Sequence, residues 1–315
     1  MSTLLDVLVI GLQIGAIYSL VALGLVLVYK ATRVLNFAHG EIGTTSAFVA
    51  WFLIVGGNIE AATLARGALW WAMIPALITG AILSIGVSAL IGRLKGAASS
   101  VTALVVTVAV TLLLVGAQLG IFEAQGRRFP RFVEGSPCLQ AAPGGGCARE
   151  LTIGSIVIAW HTIVILGVLA LAGVAIAVFF RTPAGTALLA TAQDPYAAEL
   201  QGISVRAMRT IAWGAAGVLA ALAGILGAGI FNQLTPGLML STFLIPGFTA
   251  AVLGGITSMI GAVSGGLILG ITVAGANQLV QSIRLSVPGP PHIAVLAILL
   301  LVLLLRPRGL FGREA

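Results

Sequence analysis

Long apolar runs set the limits on this chain: nine segments, each near the length needed to cross a bilayer, follow one another almost without charged residues. A spanning helix needs about 20 predominantly apolar residues. The runs cover roughly Val7–Tyr29, Glu41–Gly56, Ala68–Ile91, Val101–Phe122, Ile153–Phe180, Thr210–Ile230, Leu238–Gly255, Met259–Gln281 and His292–Leu305. The second, seventh and ninth are short or interrupted by Gly and Pro. Broken or re-entrant segments are expected there, since irregular backbone at membrane depth survives only under protein or beside a cavity. Charged residues make up 8% of the chain, against about a quarter in an ordinary soluble domain. The expected fold class is therefore an all-α integral membrane protein. It would be a polytopic bundle of about 8–10 transmembrane helices forming one domain over residues 1–315. Glycine reaches 41 residues, and small pairs four apart (Gly11/Gly15, Ala220/Gly224, Gly261/Gly265) mark expected helix contacts.

Positive charge orients the bundle. With the amino terminus outside, the inner connections hold Lys30, Arg33, Arg93, Lys95, Arg181, Arg206, Arg209, Arg306, Arg308 and Arg313, ten of the 16 basic residues. Short cytoplasmic loops carry such an excess. The expectation is amino terminus outside and carboxyl terminus inside. Met1–Val9 contains no Lys or Arg, so the first run reads as a retained span rather than a secretory signal. The net charge of +7 follows from the same inner loops and does not call for nucleic acid.

Two connections are long enough to do more than link helices. The segment 123–152 is expected outside. It holds Cys138 and Cys147, separated by a Gly-rich stretch in a compartment where disulfides persist, and a Cys138–Cys147 bridge is expected. Its Arg127, Arg128 and Arg131 are either a solvated loop surface or a patch for an acidic docking partner. The segment 181–209 is expected inside. Pro183 and Pro195 suit first helical turns, Asp194 is a good N-cap, and Gly202 can adopt the positive φ that ends a helix. Two short helices around Asp194 follow.

Absent chemistry is informative. Within the predicted spans no ionisable side chain lies deep except His161, so proton relays and ion-coupling sites have no anchor. There is no phosphate loop, no H-E-x-x-H and no G-x-S-x-G, and no cluster suggests a metal. An enzyme is not expected. A passive small-solute channel, or the membrane part of a machine powered by another chain, is.

Three stretches sharpen this. They are "GLQIGAIYSLVALGLVLVYKATRVLNFAHGEI" (Gly11–Ile42), "GTALLATAQDPYAAELQGISV" (Gly185–Val205) and "LLLRPRGLFG" (Leu303–Gly312). Together they resemble the permease subunits of ABC importers for branched-chain amino acids, a group that also includes urea and short-amide permeases. The resemblance spans nearly the whole chain, and "NFAHGE" (Asn36–Glu41) is its most distinctive string. Leu189–Ala190 departs from the Arg-Ala usual in the family, which removes one basic contact from the presumed docking helix. Phe37 is closer to the amino-acid permeases than to the urea permeases.

The resemblance implies a multi-pass protein of the bacterial cytoplasmic (inner) membrane, in contact with lipid. Its expected partners are a second, related permease chain (or a second copy), two cytoplasmic ATPases and an extracytoplasmic binding protein. ATP and Mg would sit on the ATPases, leaving this chain without a cofactor. Gly185, Asp194, Tyr196, Glu199, Gly202 and Arg206 are the expected ATPase-coupling residues, and Arg127, Arg128 and Arg131 the binding-protein contact. Asn36, Phe37, His39, Gly40 and Glu41 are candidates for the pathway or its gate. A structural reading stands beside this: Asn36 as the cap of the second helix and Glu41 as a first-turn acid favoured by the macrodipole. The polar Gln13, Gln118, Asn232, Gln233, Asn277 and Gln278 are expected to bond between helices.

Overall fold

The computed structural model describes residues 2–56, 68–93, 100–131, 150–153, 156–283, 289–306 and 309–311. Eleven α-helices run through them: α1 (Ser2–Thr32), α2 (His39–Ile54), α3 (Ala68–Arg93), α4 (Ser100–Phe122), α5 (Trp160–Phe179), α6 (Pro183–Gln193), α7 (Pro195–Leu200), α8 (Val205–Phe231), α9 (Ile245–Gly254), α10 (Met259–Ser282) and α11 (Pro290–Leu305). Among the described residues six are long and apolar enough to cross a membrane: α1, α3, α4, α5, α8 and α10. Helices α2, α9 and α11 are the short ones, as the interrupted runs predict.

Helices α1 and α8 form the centre. Between Gly15 and Val28, helix α1 is buried at every residue. It lies antiparallel along α10 because small residues let the backbones touch. A Cβ on Gly11 would come 2.6 Å from Ile271 Cα, and one on Gly15 would come 2.8 Å from the Gly266 carbonyl. Ser19 Oγ donates to the Val263 carbonyl across this seam at 2.8 Å. On α8, Gly224 meets Gly43 of α2 and Gly217 meets Gly80 of α3, backbone to backbone. Gly261 meets Gly254 in the same way. All three predicted small pairs thus lie at helix contacts, where close approach replaces the hydrophobic drive that lipid cannot supply.

The bundle has two rims. At the rim where α1 starts, β1 (Arg127–Arg128) pairs antiparallel with β4 (Gln233–Leu234). Nearby in sequence, β2 (Glu150–Ile153) pairs with β3 (Ile156–Ala159). These ribbons are additions to the expected all-α fold. The second also corrects the fifth span, which starts at Trp160 rather than Ile153. The β-branched run Thr152, Ile153, Ile156, Val157 and Ile158 suits a pleated ribbon better than a helix. The opposite rim carries α6 and α7. Here too the chain's tail docks, with the Leu310 and Phe311 N–H groups donating to the Leu253 and Gly254 carbonyls at the end of α9.

Candidate functional site

The connection from α1 to α2 folds back into the bundle. His39, the first residue of α2, packs its ring on Gly24 of α1. Gly24 lies eight residues before the end of α1, so α2 begins roughly 12 Å inside that rim. The seventh apolar run enters from the other rim and also starts a helix inside the protein. Residues Leu240–Leu244 form a π-helical turn that continues directly into α9. π-helix occurs mostly as single turns, frequently at functional positions.

Side chains from other helices bind the start of this second element. Glu41 Oε1 accepts from the Leu240 N–H at 2.8 Å. Thr44 Oγ1 accepts from the Met239 N–H at 3.1 Å. Gln118 Oε1 accepts from the Gly237 N–H at 3.0 Å, while Gln118 Nε2 donates to Glu41 Oε2 at 3.0 Å and to Thr45 Oγ1 at 2.9 Å. The first N–H groups of a helix have no intrahelical partner. Here α2 and α4 supply the acceptors that the local sequence lacks.

Glu41 is fully buried in this knot. It lies in the first turn of α2, as expected, and its carboxylate also closes another helix's open end. Asn36 does not cap α2. The N-cap position is Ala38, with no side-chain bond, and Asn36 is fully buried with both amide atoms unpaired. The Asn36 backbone carbonyl accepts from the His39 N–H at 3.3 Å, but its side chain bonds none of the first N–H groups of α2. His39 is likewise fully buried with neither ring nitrogen hydrogen-bonded. An unpaired buried amide costs about 1–3 kcal/mol by mutational measures.

Beside Asn36 lies an apolar cavity of about 250 Å³. Leu25 of α1, Leu35 to Phe37 of the connector, Leu240 and Leu244 of the π turn, and Ile245 and Phe248 of α9 line it. The Phe37 and Phe248 rings face each other at 6.2 Å, and Gly40 leaves room for the Leu244 side chain. Of the five candidate pathway residues, Asn36 and Phe37 line this cavity; His39, Gly40 and Glu41 pack behind it. Towards the α1-start rim a second cavity, about 780 Å³, runs from Asp6 down to Tyr18 and Phe243 and ends on the other side of the π turn. Ile245 lines both cavities.

The other candidates fall into two groups. At the rim opposite the start of α1, Thr182 caps α6 by accepting from the Gly185 N–H at 3.3 Å, and Asp194 caps α7 by accepting from the Ala197 N–H at 3.0 Å. Gly202 ends the pair with φ 77°. Gly185 is buried against the Phe179 and Phe180 backbone, whereas Tyr196, Glu199, Leu200 and Arg206 point outward. At the α1-start rim, Arg127 donates to the Phe122 carbonyl at 3.2 Å, lies 4.0 Å from Glu123 and covers the Trp51 ring at 5.7 Å. It clamps the ends of α2 and α4. Arg128 is exposed and Arg131 half-buried. Cys138 and Cys147 lie outside the described residues. Sequence reasoning missed the Glu41–Gln118–Leu240 knot. Gln118 was visible as a polar residue in an apolar run, but its partners lie 77 and 119 residues away.

A bundle of apolar helices, with two helices beginning inside it beside stacked cavities, defines a multi-pass transmembrane permease. The chain belongs to the family of branched-chain amino acid transport system permease components, whose model matches residues 7–305. It is 30% identical to the high-affinity branched-chain amino acid transport system permease protein BraD of Pseudomonas aeruginosa, over 98% of this chain and 96% of that protein. It is also 30% identical to LivH of Escherichia coli K12, a permease protein of the same description, over 96% and 94%. A probable LivH of Methanocaldococcus jannaschii is 27% identical over 93% and 88%. Among solved structures, PsaBC from Streptococcus pneumoniae in complex with Fab aligns with 98% of this chain at 18% identity and a TM-score of 0.44.

Proposed function

We propose that this chain is the membrane permease of an ATP-driven importer for branched-chain or related apolar amino acids. The family carries the substrate class. The single structural observation that supports the energy source is the capped pair α6–α7, which projects exposed Tyr196, Glu199 and Leu200 from one rim. A self-sufficient channel has no use for such an element. The same rim gathers Lys30, Arg33, Arg93, Arg181, Arg206, Arg209 and Arg306 in sequence order along the chain. The charge rule makes it cytoplasmic, with the amino terminus outside, in the bacterial inner membrane.

In this reading two ATPases, holding ATP and Mg, push on α6–α7 in a dimer with a second permease chain. A binding protein delivers solute at the α1-start rim, where Arg128 and Arg131 are available to an acidic surface. Alternating access follows as the π turn and α9 shift against α1. The test is uptake by proteoliposomes holding the chain with and without its ATPases, binding protein and partner permease. The full assembly is expected to concentrate leucine only with ATP. If the chain alone moves solute down its gradient at the full rate, and deletion of 194–202 leaves that rate intact, the protein is a channel.

A further inference from the structure

We infer that the half-open groove between α5 and α10 binds one anionic glycerophospholipid, with its phosphate head at Lys30 and an acyl chain along the groove walls. This rests on the proposed orientation, which puts the Lys30 rim in the cytoplasm and the groove in the inner leaflet.

The groove holds about 850 Å³. Leu23 of α1, Gly173 and Ile176 of α5, and Val263 and Leu267 of α10 give it apolar walls. Val174 and Val178 on α5, and Ile260 and Ile268 on α10, are exposed beside it, as on a surface that meets lipid. Ser258, the N-cap of α10, lines one end, and Leu267 lies about 13 Å deeper along the helix. One leaflet holds about half of a hydrocarbon core roughly 30 Å thick. The apolar stretch therefore has the reach of one acyl chain. At Gly173 an added Cβ would meet nothing within 4 Å, so the slot is open there.

The rim end of the groove is polar and cationic. Lys30 lines it about 10 Å nearer the rim than Leu23 on the same helix. It is the only charged residue in the lining. Its ammonium lies 5.0 Å from the centre of the Phe180 ring and pairs with no carboxylate among the described residues. Thr257 and Ser258 line the groove where α10 starts. Ser258 Oγ accepts from the Gly261 N–H at 3.0 Å, which leaves its O–H to donate. A phosphodiester complements this end, with one negative charge for the ammonium and acceptor oxygens for the hydroxyls. Basic recesses between helices on the cytoplasmic side suit such heads. A soluble phosphate would leave the apolar walls bare, and a zwitterionic lipid would bring a second cation towards Lys30. The head rests where α5 ends at Phe180 and the chain passes to α6.

The test uses the chain purified with its partner chains in micelles, with phosphatidylglycerol, phosphatidylcholine or soluble glycerol phosphate added. Native mass spectrometry reads which is retained. Phosphatidylglycerol is expected to be held about fivefold more tightly than phosphatidylcholine, the effect of one Lys near an anionic surface. Glycerol phosphate, without acyl chains, is expected to be lost. Lys30→Gln should abolish the preference for phosphatidylglycerol, and Lys30→Arg should keep it. Arg33→Gln, on the same rim but outside the lining, should leave it unchanged. Gly173→Leu places its side chain in open space, so it should fold and lose the tightly held lipid of either kind. A photo-cross-linker at Ala177, in the groove wall, should gain the mass of a lipid. Equal retention of the two lipids by the wild type, or a preference that survives Lys30→Gln, overturns the head assignment. Retention unchanged in Gly173→Leu overturns the groove. Capture of a permease or ATPase chain at Ala177 makes the face a protein interface, and retention of glycerol phosphate makes it a site for small anions; either overturns the lipid. Lipid retention is read without ATP or solute. Absence of ATP-dependent uptake would therefore overturn the importer reading and leave the lipid site standing.

Discussion

Replacing Glu41 tests whether the two inward helix starts depend on each other. Glu41→Leu keeps the volume and removes the two carboxylate acceptors from the knot. The Leu240 N–H, now 2.8 Å from Oε1, loses its partner outright. A buried donor left unpaired costs about 1–3 kcal/mol. Gln118 loses its bond to Oε2 but keeps Thr45 Oγ1 at 2.9 Å, so its share falls at the low end of that range. The sum is about 2–4 kcal/mol. Glu41→Gln retains one carbonyl oxygen for Leu240 and turns an amide N–H₂ towards that of Gln118, so it costs about 1–3 kcal/mol. In a double-mutant cycle with Gln118→Leu the losses should fall short of additive by about 0.5–3 kcal/mol, because the two share a bond. The assay is reversible denaturation in mixed micelles, followed by loss of helix signal. The expected order of stability is wild type, Gln, Leu. If Leu lies within about 0.5 kcal/mol of wild type, as surface substitutions do, or if Gln is the worse of the two, the knot does not hold the π turn.

Other changes have distinct signatures. Gly224→Ala drives a methyl into the Gly43 backbone and should cost about 1–3 kcal/mol or more as overpacking; an unaltered thermal midpoint would sink the contact. Asp194→Ala removes the α7 cap, about 0.5–2 kcal/mol of local helix stability. Hydrogen exchange should rise at 195–200 while global stability holds, and exchange unchanged there would refute the cap. Tyr196→Ala and Leu200→Ala truncate exposed side chains, so stability should stay within about 0.5 kcal/mol while stimulated ATP hydrolysis falls; unchanged hydrolysis would remove them from the interface. Asn36→Leu should raise stability by about 1–3 kcal/mol, since it removes an unpaired buried amide, and a loss of stability would show that the amide has a partner.

The extent to which sequence foretold structure follows the range of the forces involved. Span positions were legible because apolar length is a local property, and the six long helices fall within a few residues of the predicted runs apart from the starts of α1, α5 and α8; α1 begins five residues early, at Ser2. Helix α5 starts late because its first residues pair as a ribbon. Helix α8 starts five residues early, at Val205, because Ser204 caps it by accepting from the Ala207 N–H. The α6–α7 pair was legible because Pro183, Asp194, Pro195 and Gly202 act on backbone within one turn of themselves. The shortness of the second and seventh runs was visible, but not its cause. Nothing local to 237–240 says that Glu41, Thr44 and Gln118 will accept its N–H groups. For the same reason Asn36 looked like a cap: the sequence has the right residue near the right helix, and only the fold reveals that the chain turns away from it.

Asn36 and Glu41 lie five residues apart in one motif, both are fully buried, and their surroundings treat them in opposite ways. Every acceptor in the Glu41 knot meets a donor, whereas the Asn36 amide, on the cavity side of the same connector, meets none. Leaving an amide unpaired at a cost of about 1–3 kcal/mol is stable only when the surrounding packing holds it. The two residues therefore divide the motif's work. Glu41 fixes the start of the π turn, and Asn36, like His39, is buried with its side-chain polar atoms unpaired. Their substitutions should therefore move stability in opposite directions: loss for Glu41→Leu and gain for Asn36→Leu.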